Sequence, residues 1–201
     1  MANYRTSRVL PIVLVIVIII IAIASLVSLA RVVFFSGPST DSAQTVDVSR
    51  DALLNTSVDH SVKMTVRGPI VADEKFYSYQ ITVSPNERSL TTYNGYLGTV
   101  VDQTNLPNSI PAYEQFVFAL DKADLSKGTE LEGEKNDVRG VCATGRVTEF
   151  EIINGANTVK KLWTSTCKGS AGSLDASVQQ LTGLFTTQIP DATALIRKID
   201  L

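Results

Sequence analysis

The chain has 201 residues, 18 Lys and Arg against 20 Asp and Glu, one His and two Cys, and a mean hydropathy of +0.14. From residue 38 onward it holds 15 bases against 20 acids, a net charge of −5. A mildly acidic surface excludes a duplex nucleic-acid binder, which needs a basic face, and a single His with two Cys excludes most zinc centres.

The positive hydropathy is local. Residues 9–30 read VLPIVLVIVIIIIAIASLVSLA, without a charge, between Arg8 and Arg31. At 1.5 Å per residue this run spans about 33 Å, the thickness of a bilayer's hydrocarbon core. In lipid its backbone groups must bond internally, so a helix is expected, with Pro11 in the first turn where its missing N–H does little harm. Arg5, Arg8 and the α-amino group precede the run and Arg31 alone closes it, so the positive-inside bias places the N-terminus in the cytoplasm and the rest outside. A cleaved signal peptide is the rival, since Ala22-Ile23-Ala24 and Ser28-Leu29-Ala30 fit a small-x-small site. The run exceeds the usual length of a signal peptide's apolar core, however, and apolar character resumes at Val32, Val33, Phe34 and Phe35. A pilin-type start would want a nearby acid, and none occurs before Asp41. The expected organisation is a cytoplasmic tail over 1–8, a signal-anchor over 9–35 contacting the lipid bilayer, a stalk over 36–58 and an extracytoplasmic domain over 59–201.

Residues 36–47 are small and polar, as in a stalk, and residues 49–54 suit a short helical turn. Alternation then begins: Val62, Met64 and Val66 oppose Ser61, Lys63, Thr65 and Arg67, which predicts a half-buried strand broken at Gly68-Pro69. Tyr77, Tyr79, Ile81 and Val83 mark a second strand, and residues 88–93 a third, followed by a turn at Asn94-Gly95. These form an antiparallel meander. At Ser109-Ile110-Pro111 the period becomes helical, with Tyr113, Phe116, Val117 and Leu120 on one stripe and an end near Asp124. Residues 128–136 are a polar, acidic loop. Ser173 is the expected cap of a second helix with Leu174, Val178, Leu181 and Phe185 on its apolar stripe, ended by Pro190. Residues 191–199 suit a short final helix. The fold expected is α+β: an antiparallel sheet of five to six strands with two packed helices, behind one transmembrane helix.

Asn154-Gly155 between Cys142 and Cys167 is a strong two-residue hairpin signal. If these two are the turn, opposing residue numbers sum to 309, and the cysteines face each other. The same register sets Glu149 against Lys160, Phe150 against Val159, Val147 against Leu162 and Arg146 against Trp163. The cysteines would occupy a non-hydrogen-bonded site, with Cα atoms about 4.5 Å apart, within reach of a disulfide. A disulfide suits an oxidising compartment, and the spacing lacks the C-x-x-C of redox-active pairs.

No catalytic, cofactor or metal motif stands out. No G-x-S-x-G elbow accompanies His60, which reads as an exposed or structural side chain. Glu130, Glu132, Glu134 and Asp137 form an acidic cluster that does not follow a calcium-loop pattern, and residues 139–145 lack the G-K-[ST] of a phosphate loop, with Gly145 expected inside a strand. Tyr77, Tyr79, Tyr93, Tyr96 and Tyr113 serve either the core or a sugar or peptide groove, with the core favoured.

AYEQFVFALDKADL, GVCATG, LWTSTCKGS and LFTTQIPDA resemble segments of uncharacterised membrane-anchored surface proteins of Saccharibacteria-type bacteria. The resemblance implies a bacterial envelope location and carries no site residues. The function expected is a non-enzymatic binding module contacting an envelope protein or glycan. The alternatives are a membrane-tethered hydrolase using a carboxylate pair and an accessory subunit of a secretion or pilus assembly.

Overall fold

In the computed structural model, the described residues are 48–199 and 201; the expected transmembrane segment and residues 36–47 lie outside them. No helix among the described residues is long and apolar enough to cross a membrane. The elements run α1 (Val48–Leu54), β1 (His60–Arg67), β2 (Tyr77–Val83), β3 (Glu87–Asn94), β4 (Thr99–Pro107), α2 (Ile110–Lys122), β5 (Val147–Asn154), β6 (Asn157–Ser165), α3 (Val178–Thr186) and α4 (Ala192–Ile196), with single 3-10 turns at Asp73–Lys75 and Gly133–Asn136. The architecture is α+β. Six antiparallel strands lie in the order β4-β3-β2-β1-β5-β6.

Alternation along the strands divides the sheet into two unlike faces. Val62, Met64 and Val66 of β1 share one face with Tyr79, Ile81 and Val83 of β2, Leu90 of β3, and Phe150 and Ile152 of β5. The helices cover this face. Tyr113, Phe116, Val117 and Leu120 of α2 and Leu181 and Phe185 of α3 are buried against it. Phe185 sits between layers, edge-on to Phe116 with centroids 5.3 Å apart and 5.8 Å from Phe150. Leu53 of α1 is fully buried in the same core, so α1 packs with the sheet and its helices. Ser109 caps α2 as expected, accepting from the Ala112 N–H.

The start of the next helix differs from expectation. Its cap is Ser177, which accepts from the Gln180 N–H, and Val178 is exposed. Ser173 is buried and its hydroxyl accepts the Trp163 N–H at 3.1 Å. The backbone at 173–174 is held at the β6 edge, where the N–H groups of Ser173 and Leu174 both donate to the Trp163 carbonyl. A residue committed to a strand edge cannot also open a helix, so the helix starts four residues later.

The hairpin register also differs. Its loop is Gly155-Ala156, with Asn154 opposite Asn157, and a bulge at Ile152/Ile153 leaves Val159 without a partner. Beyond the bulge opposing numbers sum to 312. Phe150 faces Leu162, Glu149 faces Trp163 and Val147 faces Ser165. The turn slips by one residue because Gly155, at φ +58°, donates its N–H to the Asp59 carbonyl at 2.8 Å.

Cys142 and Cys167 nonetheless form a disulfide, with Cα atoms 5.5 Å apart. Both lie beyond the ends of the strands, and Gly145 is in the turn before β5 rather than inside it. The bond staples the 126–146 connection over the outer face of β5 and β6. A second apolar cluster forms beneath it, of Val138, Cys142, Val147 and Trp163 with Leu131, Val141 and Cys167.

Candidate functional site

The face away from the helices carries hydrogen-bonding side chains over β1–β4. Its cross-strand rows read Lys63, Thr82, Ser89, Asn105 and Thr65, Gln80, Thr91, Gln103. Along β1, β5 and β6 it carries charge: Lys63 pairs with Glu151 at 2.9 Å, while Glu149 is shared between Arg67 at 2.6 Å and Lys161 at 2.7 Å. Burial of Glu149 opposes its ionisation, but the hydrogen bonds and charges of Lys161 and Arg67 outweigh this and hold its carboxyl below the ordinary range.

Where β1 leaves the sheet at Arg67, three connections meet. Gly68 holds the chain against β2 through an N–H bond to the Tyr77 carbonyl at 3.0 Å, and the Ile70 N–H reaches the Ala143 carbonyl in the stapled loop at 2.9 Å. The Tyr96 hydroxyl donates to the Val71 carbonyl at 2.8 Å and accepts the Val71 N–H at 3.1 Å. Its ring stacks on Phe76 with centroids 4.2 Å apart. Asp73 accepts the Tyr96 N–H at 2.8 Å, which pins the β3–β4 turn to residues 68–76.

These connections enclose a cavity of about 310 Å³ lined mainly by Gly68, Ile70, Phe76, Tyr96, Val138 and Val141, with Arg67 and Arg139 as the charged lining residues. No carboxylate is among the lining residues. Arg139 is bonded to Asp137, whose carboxyl is thereby pushed down to about 2. Ile70 and Tyr96 of the lining are exposed, as are their chain neighbours Val71 and Leu97, the latter at 97%, and Val100 and Val101 at the start of β4.

The residues weighed from sequence fall elsewhere. His60 is buried, with Nδ1 3.0 Å from an Asp59 carboxylate oxygen at the opposite end of β1. Glu130 is used structurally, accepting from Asn136 and from the Lys161 backbone N–H. Among the described residues no cluster of His, Cys, Asp or Glu is arranged to hold a metal. Tyr79 and Tyr113 are buried, and Tyr96 alone of the five tyrosines lines the cleft. Cys142 forms part of the cleft wall, so the disulfide supports the site. Leu97, Val100 and Val101, beside Tyr96, were not singled out from sequence. Their signal is Tyr96-Leu97 directly after Asn94-Gly95, where turn chemistry favours polar residues.

No family model matches the chain, and no curated protein matches it.

Proposed function

We propose that the chain is a single-pass membrane protein of a bacterial envelope, anchored through residues 9–35, which displays residues 48–201 outside the cytoplasm as a binding module. The apolar cleft and the surface around Leu97 are its contact site. The observation that carries this reading is the apolar cavity lined by Ile70 and Tyr96, whose chain neighbours Val71 and Leu97 are exposed apolar residues, since exposed apolar surface beside a cleft marks an interaction site. The anchor rests on the uncharged run between Arg8 and Arg31, and the outside placement on the charge bias and the disulfide. A hydrolase working through paired carboxylates would need acids facing each other across its cleft, and this lining offers arginines instead.

The test uses the full chain in bilayer nanodiscs, immobilised and exposed to envelope extract, beside Leu97→Asp. Saturable retention of one protein or glycan by the wild type, lost in Leu97→Asp at unchanged melting temperature, supports the reading. Equal retention by both forms refutes the contact site, and shortened glycan in the flow-through replaces the binding module with the tethered hydrolase.

A further inference from the structure

We infer that the cleft takes a single carboxylate carried on a compact apolar body, with Arg67 as the anion's partner. This deepens the proposed binding role and rests on the cleft being the contact site. Arg67 is held to the protein by one hydrogen bond, from Nε to Glu149 Oε1 at 2.6 Å. Among the described residues its two terminal nitrogens make no hydrogen bond, although the side chain lines the cavity and is 44% exposed. A guanidinium fixed through Nε keeps its plane, and the free fork of N–H groups matches the two oxygens of a carboxylate.

The charge count points the same way. Glu149 is shared by Arg67 and Lys161, and Glu130 Oε2 accepts the Lys161 backbone N–H, so Lys161 has two acids beside it while Arg67 has only a share in one. Lys63 and Glu151 neutralise each other, as do Arg139 and Asp137. Arg67 is therefore the under-neutralised cation beside the cavity, and it matches a monoanion. A phosphate monoester, with a charge of about −1.5 to −2 at neutral pH, would be left undercompensated. The rest of the lining has no ionic partner to offer. Ile70, Phe76, Tyr96, Val138 and Val141 suit an aliphatic or aromatic body, and 310 Å³ limits it to one or two side chains. A polypeptide ending in a free apolar residue has this chemistry, as does a short arylalkanoic acid.

The experiment measures binding to the full chain in bilayer nanodiscs by equilibrium dialysis, using acetyl-Ala-Leu with a free carboxylate, its C-terminal amide, and 4-phenylbutyrate. Saturable binding of the peptide acid, weakened about tenfold or more in the amide, is expected. Phenylbutyrate binding as well as the peptide acid extends the class to small acids; peptide binding alone assigns it to chain ends. Arg67→Gln should abolish the preference for acid over amide. Should that variant fold poorly, Ile70→Asp decides, because it sets a carboxylate of the protein's own at the cleft from an exposed position and should exclude the ligand at unchanged melting temperature. Equal binding of acid and amide, no binding of either, or full binding by Ile70→Asp overturns the inference. Loss of carboxylate binding with Leu97-dependent capture intact removes this inference and leaves the binding module standing.

Discussion

Arg146 and Thr166 stand opposite each other at the open end of the β5–β6 hairpin. The Thr166 N–H donates to the Arg146 carbonyl at 3.0 Å, and the Thr166 hydroxyl accepts the Arg146 N–H at 2.9 Å. That pair continues the sum of 312 set by the strands, so the cysteines meet outside the ladder. The chain must turn between Cys142 and Arg146 to bring them together. A Cβ on Gly145 would lie 2.2 Å from the Thr166 hydroxyl and 2.9 Å from Cys142 Sγ. Gly145→Ala should therefore lower the melting temperature and slow recovery of the disulfide after reduction, measured by refolding with thiol quantitation. Unchanged recovery would show that the turn accommodates a side chain.

The disulfide should stabilise the domain by about 3 kcal/mol, as expected for a closed loop of this length. Replacing both cysteines by Ser should reproduce that loss in denaturant unfolding. Because Cys142 forms part of the cleft wall, hydrogen exchange should quicken over residues 138–146 more than over β1 and β2. Uniform change across the domain would argue that the staple acts only on the unfolded chain.

These two positions show what the sequence reveals and what it hides. Period-2 alternation marked β1 and β2 because each has one buried and one polar face, and the stripe of Tyr113, Phe116, Val117 and Leu120 marked α2. The disulfide was legible as a pairing but not as a register, because the turn position depends on an N–H bond from Gly155 to Asp59, 96 residues away along the chain. Ser173 misled for the same reason. Its hydroxyl suits a helix cap, but a strand edge needed it more, and only tertiary structure decides between the two. The cleft was hidden most completely, since Arg67, Ile70, Tyr96 and Val141 come from three separate connections, and only the folded chain brings them to one cavity.

Serine substitutions separate these roles directly. Ser177→Ala should cost about 1 kcal/mol, the usual worth of an N-cap, and reduce helical signal only slightly. Ser173→Ala should cost about 1–3 kcal/mol because it strips the acceptor from a buried Trp163 N–H, and it should shift the emission of the sole tryptophan. Chemical denaturation read by both circular dichroism and fluorescence distinguishes them. A fluorescence shift in Ser177→Ala and none in Ser173→Ala would reverse the assignment.

Glu149 links stability to pH. Its pKa is lower in the folded chain than the ordinary glutamate value of about 4.3. Its contribution is therefore fully present above roughly pH 5 and is lost as pH falls through the folded value. Glu149→Gln keeps the shape but removes the charge that Arg67 and Lys161 share, leaving two cations close together. The variant should lose about 2 kcal/mol at pH 7, an effect moderated by the exposure of Arg67. Its stability should then fall less than the wild type's between pH 5 and pH 3, so the two curves converge in acid. Denaturant midpoints measured across that range check the slope. Parallel curves would show that Glu149 is not the group governing this part of the acid limb.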